Sequence, residues 1–192
     1  MDTPLSRKQI THERIVDTAA AVLRASGFAG VGVADIMKRV GLTHGGFYAH
    51  FASRDALLCE AVERAGADSR MRVAKSVALR KARGASPLRA FIENYLSDAH
   101  LAAPEQGCPV AALAAEMPRQ SPEVAQAAAQ RVRKLIAIVR ESLPPSAAEQ
   151  AAVVAAQLVG ALQLARAFGD NAEGRAVLAA TRRALLLQFE PH

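Results

Sequence analysis

Apolar residues recur at intervals of three and four along almost the whole chain, and glycine or proline closes each run. Ile15, Ala19, Val22 and Leu23 form the first set, with Thr11 placed to N-cap it and Gly27 where a left-handed C-terminal residue belongs. Val33, Ile36, Met37 and Val40 mark a short second helix ending at Gly41, and Thr43 caps a third in which Phe47 and Phe51 share a face. From Ser53, Leu57, Leu58, Ala61, Val62 and Ala65 open a long fourth helix toward Arg83, before Gly84 and Pro87. A fifth carries Phe91, Ile92, Tyr95, Leu96 and Ala99, a short sixth runs from Pro109 through Met117, and a seventh covers about 123–142. The last two, about 146–168 and 172–189, flank Gly169-Asp170-Asn171. Composition agrees: Ala fills 43 of 192 positions against 12 Gly and 9 Pro, so helix formers far outnumber breakers and strand-favouring residues. The expected fold class is all-α, in one or two domains, and no solenoid repeat is present.

The formal charge of +6 is unevenly placed. Residues 1–64 hold 8 basic and 7 acidic side chains, 65–90 hold 7 and 1, and 91–192 hold 9 and 10. In the middle stretch Arg70, Arg72, Lys75, Arg80, Lys81, Arg83 and Arg89 alternate with Val73, Ala74, Val77 and Ala78, which reads as a helix with a basic side, either solvated or attracting anions. The longest uncharged apolar run, Ala151 to Ala165, meets Arg166 and falls short of the roughly 20 residues a bilayer requires, so no membrane partner is expected. Arg7 and Lys8 precede no apolar leader, and Cys59 and Cys108 have no metal or redox spacing, which points to the cytoplasm and to no metal or other cofactor.

The most informative segment is Val31 to Phe51, two short helices joined by Val40-Gly41-Leu42-Thr43. A helix-turn-helix needs this construction: a tight turn, apolar residues on both sides to fix the crossing, and a second helix with one face free. With Phe47 and Phe51 inward, His44, Gly45, Tyr48 and Ala49 point outward. Thr43, His44, Tyr48 and His50 suit phosphate contacts, and Gly45-Gly46 allow close backbone approach at a cost of about 1 kcal/mol per Gly in helix stability. The pattern alone equally fits a cap, a loop and ordinary surface histidines.

The stretch Val31-Gly-Val-Ala-Asp-Ile-Met-Lys-Arg-Val-Gly-Leu-Thr-His-Gly-Gly-Phe-Tyr-Ala-His-Phe-Ala-Ser-Arg-Asp-Ala-Leu-Leu58 closely resembles the DNA-binding segment of TetR/AcrR-type transcriptional regulators, as does the preceding Ile15-Val-Asp-Thr-Ala-Ala-x-Val-Leu-x-x-x-Gly-Phe28. The resemblance implies an N-terminal three-helix helix-turn-helix domain (1–52), a larger C-terminal helical ligand-binding and dimerisation domain (53–192), and a homodimer on a palindromic double-stranded DNA operator. It places Thr43, His44 and Gly45 at the start of the recognition helix and Tyr48 and His50 on phosphates. Gly32, Val33 and Arg54 fall at further backbone-contact positions, and Arg7 and Lys8 form a short basic arm. His44 departs from the family's more common cation, which leaves its charge open at neutral pH.

Beyond residue 65 the likeness weakens, although Gly107-Cys-Pro-Val-Ala-Ala-Leu-Ala-Ala-Glu-Met117 is similar to a subgroup. In this family the last two helices pair across a two-fold axis, and the stripe Val154, Leu158, Ala161, Leu162, Ala165 and Phe168 suits that seam; burial inside a monomer is the alternative. Phe91, Tyr95, Met117 and Phe168 supply scarce bulk for a small-molecule effector pocket, with Asn94 a polar tip and Cys108 a thiol at a helix start. An enzyme is not expected, because no metal spacing, phosphate loop or nucleophile with a base occurs. The expected function is a repressor released from DNA by a small apolar molecule. The alternatives are a thiol-based sensor acting through Cys108 and a helical interaction module without DNA binding.

Overall fold

The computed structural model describes residues 6–190, and among them all regular structure is helical. The α-helices are α1 (Arg7–Ser26), α2 (Val33–Arg39), α3 (Arg54–Lys81), α4 (Pro87–Tyr95), α5 (Asp98–Ala102), α6 (Pro109–Leu113), α7 (Pro122–Ser142), α8 (Ala151–Phe168) and α9 (Ala172–Phe189), with short 3₁₀ turns between some of them. The expected third helix is one of these turns, His44–Ala49. The expected fifth splits, because Leu96 leaves helical geometry and Ser97 caps α5, its hydroxyl accepting from His100 N. The expected sixth stops at Leu113, and Met117 opens a 3₁₀ turn instead.

Local chemistry sets the ends. Helix α1 starts earlier than Thr11 suggests, because Ser6 and Gln9 form a reciprocal capping box that satisfies two otherwise free donors. Arg7 and Lys8 therefore lie in its first turn rather than in a separate arm. Ser53 caps α3 through Ala56 N, and Asn171 caps α9 through Gly174 N. Gly174 has no side chain because a Cβ there would collide with the carbonyls of Ala165 and Gly169, where α9 turns back onto α8.

Two apolar cores result. The first joins α1, α2, the 3₁₀ turn and Leu57–Ala65 of α3, and it includes Leu58 and Val62. It also takes in Leu113, Met117, Val124 and Ala128, so Met117 packs against the head rather than in an effector pocket. The second gathers Leu88, Phe91, Ile92, Tyr95 and Leu96 with α7, α8 and α9. Val154, Leu158, Ala161, Leu162 and Ala165 are buried in this second core, which reassigns the stripe expected at a subunit seam to the interior of one chain. Pro145–Phe168 is long and apolar enough by composition to cross a bilayer, and one face of it is buried in this second core.

Candidate DNA-reading face and ligand cavity

The turn between α2 and the reading element is fixed by backbone bonds. Leu42 N donates to Met37 O at 2.9 Å and Gly41 N to Lys38 O at 3.0 Å, the paired bonds of a Schellman ending, with Gly41 at φ 74°. Nothing crowds Gly41; the positive φ alone asks for glycine. Arg14 Nη2 adds a bond to Val40 O at 3.2 Å, tying the end of α2 to α1.

Beyond the turn, Phe47 and Phe51 stack at 5.4 Å inside the core, and His12 stacks on Phe51 from α1 at 4.5 Å. This anchor turns the other face of His44–Ala49 outward. Thr43, His44, Gly45 and Tyr48 are exposed together, Tyr48 by 68%, beside exposed Gly32 and half-buried Val33 at the start of α2. Thr43 sits at the N-cap position but its hydroxyl makes no capping bond, so the expected cap is absent and the hydroxyl stays available. Arg54 is committed inward: Nε donates to Val31 O at 2.9 Å and Nη2 to Phe28 O, bracing the α1–α2 turn rather than reaching out as a backbone contact. His50 is half-buried, and its Nδ1 is enclosed without a partner among the described residues. Burial, followed by the nearby charges of His12 and Lys8, holds its pKa below the ordinary value, which favours the neutral ring.

The second feature is an open cleft between α3, α4, α6 and α7, about 480 Å³ when its mouth into solvent is counted and about 50 Å³ in its interior. Phe91, Tyr95 and Cys108 meet on its wall as expected. Phe168 does not, since it lies 52% exposed at the end of α8. Asn94 faces a neighbouring cavity of about 560 Å³ with Arg72, His100 and Gly107. Tyr95 is 2% exposed and its hydroxyl makes no well-aligned hydrogen bond among the described residues, with the Cys108 thiol beside it; burial and then Cys108 push its pKa well up. Behind the wall, His100 Nδ1 pairs with Tyr95 O at 2.7 Å and Nε2 accepts from Cys108 N at 2.9 Å, a set of partners that only the neutral Nδ1–H ring satisfies. Burial, with Arg166 adding repulsion, lowers its pKa to about 4. Gly107 lacks a Cβ because one there would stand 2.7 Å from both His100 Nε2 and Arg166 Nη2.

Sequence reasoning missed Arg131 and Lys134 on α7. The signal was present: Val124, Ala128, Arg131, Leu135 and Val139 fall on one helical stripe, and a cation on an apolar stripe is buried with a purpose or a partner. Several middle-stretch cations are spent on structure, since Arg72 bonds Gln106 O, Arg80 pairs with Glu93 and Arg89 with Glu190.

Residues 15–61 match the family described as bacterial regulatory proteins, tetR family, and residues 85–180 match the LmrA/YxaF-like C-terminal domain of transcriptional regulators. Rv0196 of Mycobacterium tuberculosis, an uncharacterised HTH-type transcriptional regulator, is 32% identical over 170 residues, covering 82% of this chain and 85% of that protein. Among solved structures, a TetR-family regulator from Agrobacterium tumefaciens superposes with TM-score 0.76 at 23% identity, covering 95% of this chain and 99% of that one. One from Chloroflexus aurantiacus gives 0.75 at 24%, covering 96% and 97%. Reduced NemR of E. coli gives 0.72 at 20%, covering 91% and 96%. At these identities the structures show a shared fold.

Proposed function

The chain belongs to the TetR family of DNA-binding transcriptional regulators, a non-enzymatic family, and we propose that it acts as a homodimeric repressor released from a palindromic operator by a small molecule in the α3–α4–α6–α7 cavity. The observation that carries the reading is the exposed group Thr43, His44, Gly45 and Tyr48, held on a tight glycine turn by the Phe47–Phe51 anchor. Such a face enters a major groove N-terminus first, with side chains and free backbone turned to phosphates and base edges.

The dimer surface is the outward stripe of α8. Val153, Ala156, Gln157, Gly160 and Leu164 recur at helical spacing opposite the buried stripe; Val153 and Leu164 are 58% and 60% exposed, and Gly160 has open space beside it for a close helix approach. Signal transmission uses two links. Helix α3 carries Leu58 and Val62 in the head core and Ser69, Arg70 and Val73 at the cavity. Residues 105–116 form the other link: Cys108, Pro109 and Val110 line the cavity, while Glu116 accepts from Phe28 N at 2.9 Å and Glu105 O from Arg24 Nε. An effector that favours one arrangement of these links shifts the spacing of the two heads, which must match about 34 Å of DNA. Chemistry at Cys108 is a second trigger, favoured by the position of its thiol on the cavity wall. Cys108→Ser separates the two: release by a reversible ligand survives it, and release by thiol modification is lost.

Gel retardation on DNA upstream of the chain's own reading frame tests the function. A complex that resists unrelated competitor DNA and weakens in Thr43→Ala and Tyr48→Phe, with melting unchanged, is expected. Absence of a sequence-preferring complex contradicts the reading. Leu164→Arg is expected to sediment as a monomer and to lose specific binding; an intact dimer moves the interface elsewhere.

A further inference from the structure

Among the described residues, thirteen line the α3–α4–α6–α7 cavity and none is acidic, whereas Arg70, Arg131 and Lys134 all stand on it. Among the described residues, the carboxylate that pairs with them is Glu63, one turn before the cavity on α3, 2.9 Å from Arg131 Nη2 and 3.5 Å from Lys134 Nζ. Helices α4 and α6 contribute Phe91, Tyr95, Cys108, Pro109 and Val110 and add no charged side chain to the lining. One carboxylate is thus shared by Arg131 and Lys134, and Arg70 has no ion pair among the described residues.

Arg131 carries the argument furthest. It is buried, and Gly66 lets its guanidinium cross α3, since a Cβ there would collide with it. Among the described residues its Nε has no partner, and Nη2 approaches Glu63 without hydrogen-bond alignment. A buried cation with unfilled donors is costly unless an anion completes it. Arg70 and Lys134 are exposed and mark the solvent end, whereas the unpartnered Tyr95 hydroxyl and Cys108 mark the closed end. Between them the walls are Val73, Phe91, Leu135 and Ile138.

We propose that the effector is an amphipathic organic acid, with a ring-sized apolar body between Phe91 and Leu135, a carboxylate at the Arg70–Arg131–Lys134 end and a hydrogen-bonding oxygen at the Tyr95 hydroxyl. A charge-assisted, multidentate carboxylate site at one end and a single hydroxyl at the other select length as well as charge. The proposal rests on the cavity being the effector site, and it replaces the largely apolar effector that the sequence suggested.

The test uses 6-hydroxy-2-naphthoate, its neutral amide and 2-naphthoate, with binding to the DNA-free full chain measured by calorimetry. The acid is expected to bind about tenfold or more tighter than the amide, with the preference falling as salt rises. Arg70 and Lys134 are exposed, so Arg70→Gln/Lys134→Gln folds normally and is expected to reduce the preference for the acid by about threefold or more, the remainder resting on buried Arg131. Tyr95→Phe is expected to weaken 6-hydroxy-2-naphthoate and leave 2-naphthoate unchanged. Equal or tighter binding of the amide to the unaltered chain, a preference undiminished in the double variant, or no binding of any probe at millimolar concentration overturns the proposal. Operator release is scored separately. Selective binding without release contradicts the regulatory reading alone, and release by the acid and the amide alike contradicts the anion proposal alone.

Discussion

In the head, Ile15, Leu23, Phe28, Ile36, Met37, Phe47, Leu57 and Leu58 are all at most 1% exposed and pack on one another across three helices and a turn. The larger domain buries as many aliphatic residues, yet Phe91, Tyr95 and Leu135 border an open cleft, and Tyr95, Arg131 and Arg166 keep polar atoms unpartnered beside it among the described residues. The head keeps unpartnered atoms too, at Arg24 Nη1 and His50 Nδ1, so the difference lies in packing: the first core is filled, whereas the second leaves an open cleft that, on the function proposed above, a ligand fills in one arrangement better than in another.

The largest contrast is expected from truncating one phenylalanine in each region. Phe47→Ala removes half of a stacked pair and should cost about 3–5 kcal/mol in urea unfolding, whereas Phe91→Ala, whose ring already faces a void, should cost about 2–3 kcal/mol. Equal losses break the comparison.

Acid should act on the larger domain next. His100 stays neutral in the fold until about pH 4 but takes up its proton near its ordinary 6.5 when unfolded. Stability is therefore full above pH 6.5 and declines as pH falls toward 4, by up to about 3 kcal/mol from this group. His50 shifts in the same direction, so the assignment is made with His100→Asn, which should flatten most of the decline between those pH values. An unchanged slope in that variant removes His100 from the account.

Two glycines of the head sharpen the distinction between shape and contact. Gly41→Ala should cost about 1–2 kcal/mol because of its positive φ. Gly45 has neither a positive φ nor any neighbour within 4 Å, so Gly45→Ala should leave stability unchanged or raise it by up to about 1 kcal/mol, while weakening DNA binding through the added methyl. Undiminished DNA affinity in Gly45→Ala places the contact surface elsewhere. The smallest effect is expected at Tyr95→Phe, which deletes a buried hydroxyl without a partner and should stabilise the apo protein by about 1 kcal/mol or less, read as a rise in Tm.

The same contrast explains what the sequence disclosed. The head was legible because its determinants are large, local and closely spaced: Phe47 with Phe51, Gly41 at the turn, and Ser53 at a cap. The cavity is assembled from α3, α4, α6 and α7, residues far apart in the chain, so Phe91, Tyr95 and Cys108 were found by bulk and chemistry while Arg131 was not. Helix α8 carries two apolar stripes, Val154–Leu158–Leu162 and Val153–Gly160–Leu164, and spacing alone does not say which one faces its own core. The packing of α9, with Leu178 and Leu185, and of α7, with Leu135 and Val139, in that core decides it. Phe168 and Met117 were misplaced for the same reason, since size marks a residue as buried without saying against which neighbours.

The most direct test of the account is selection of bound sequences from a random duplex DNA pool by the purified full chain. The account predicts enrichment of an inverted repeat whose half-sites are centred about one helical turn, or a multiple of it, apart. The enrichment should disappear in Leu164→Arg and weaken in Thr43→Ala. Enrichment of a single asymmetric half-site, or no enrichment at all, contradicts a dimer reading DNA through the Thr43–Tyr48 face.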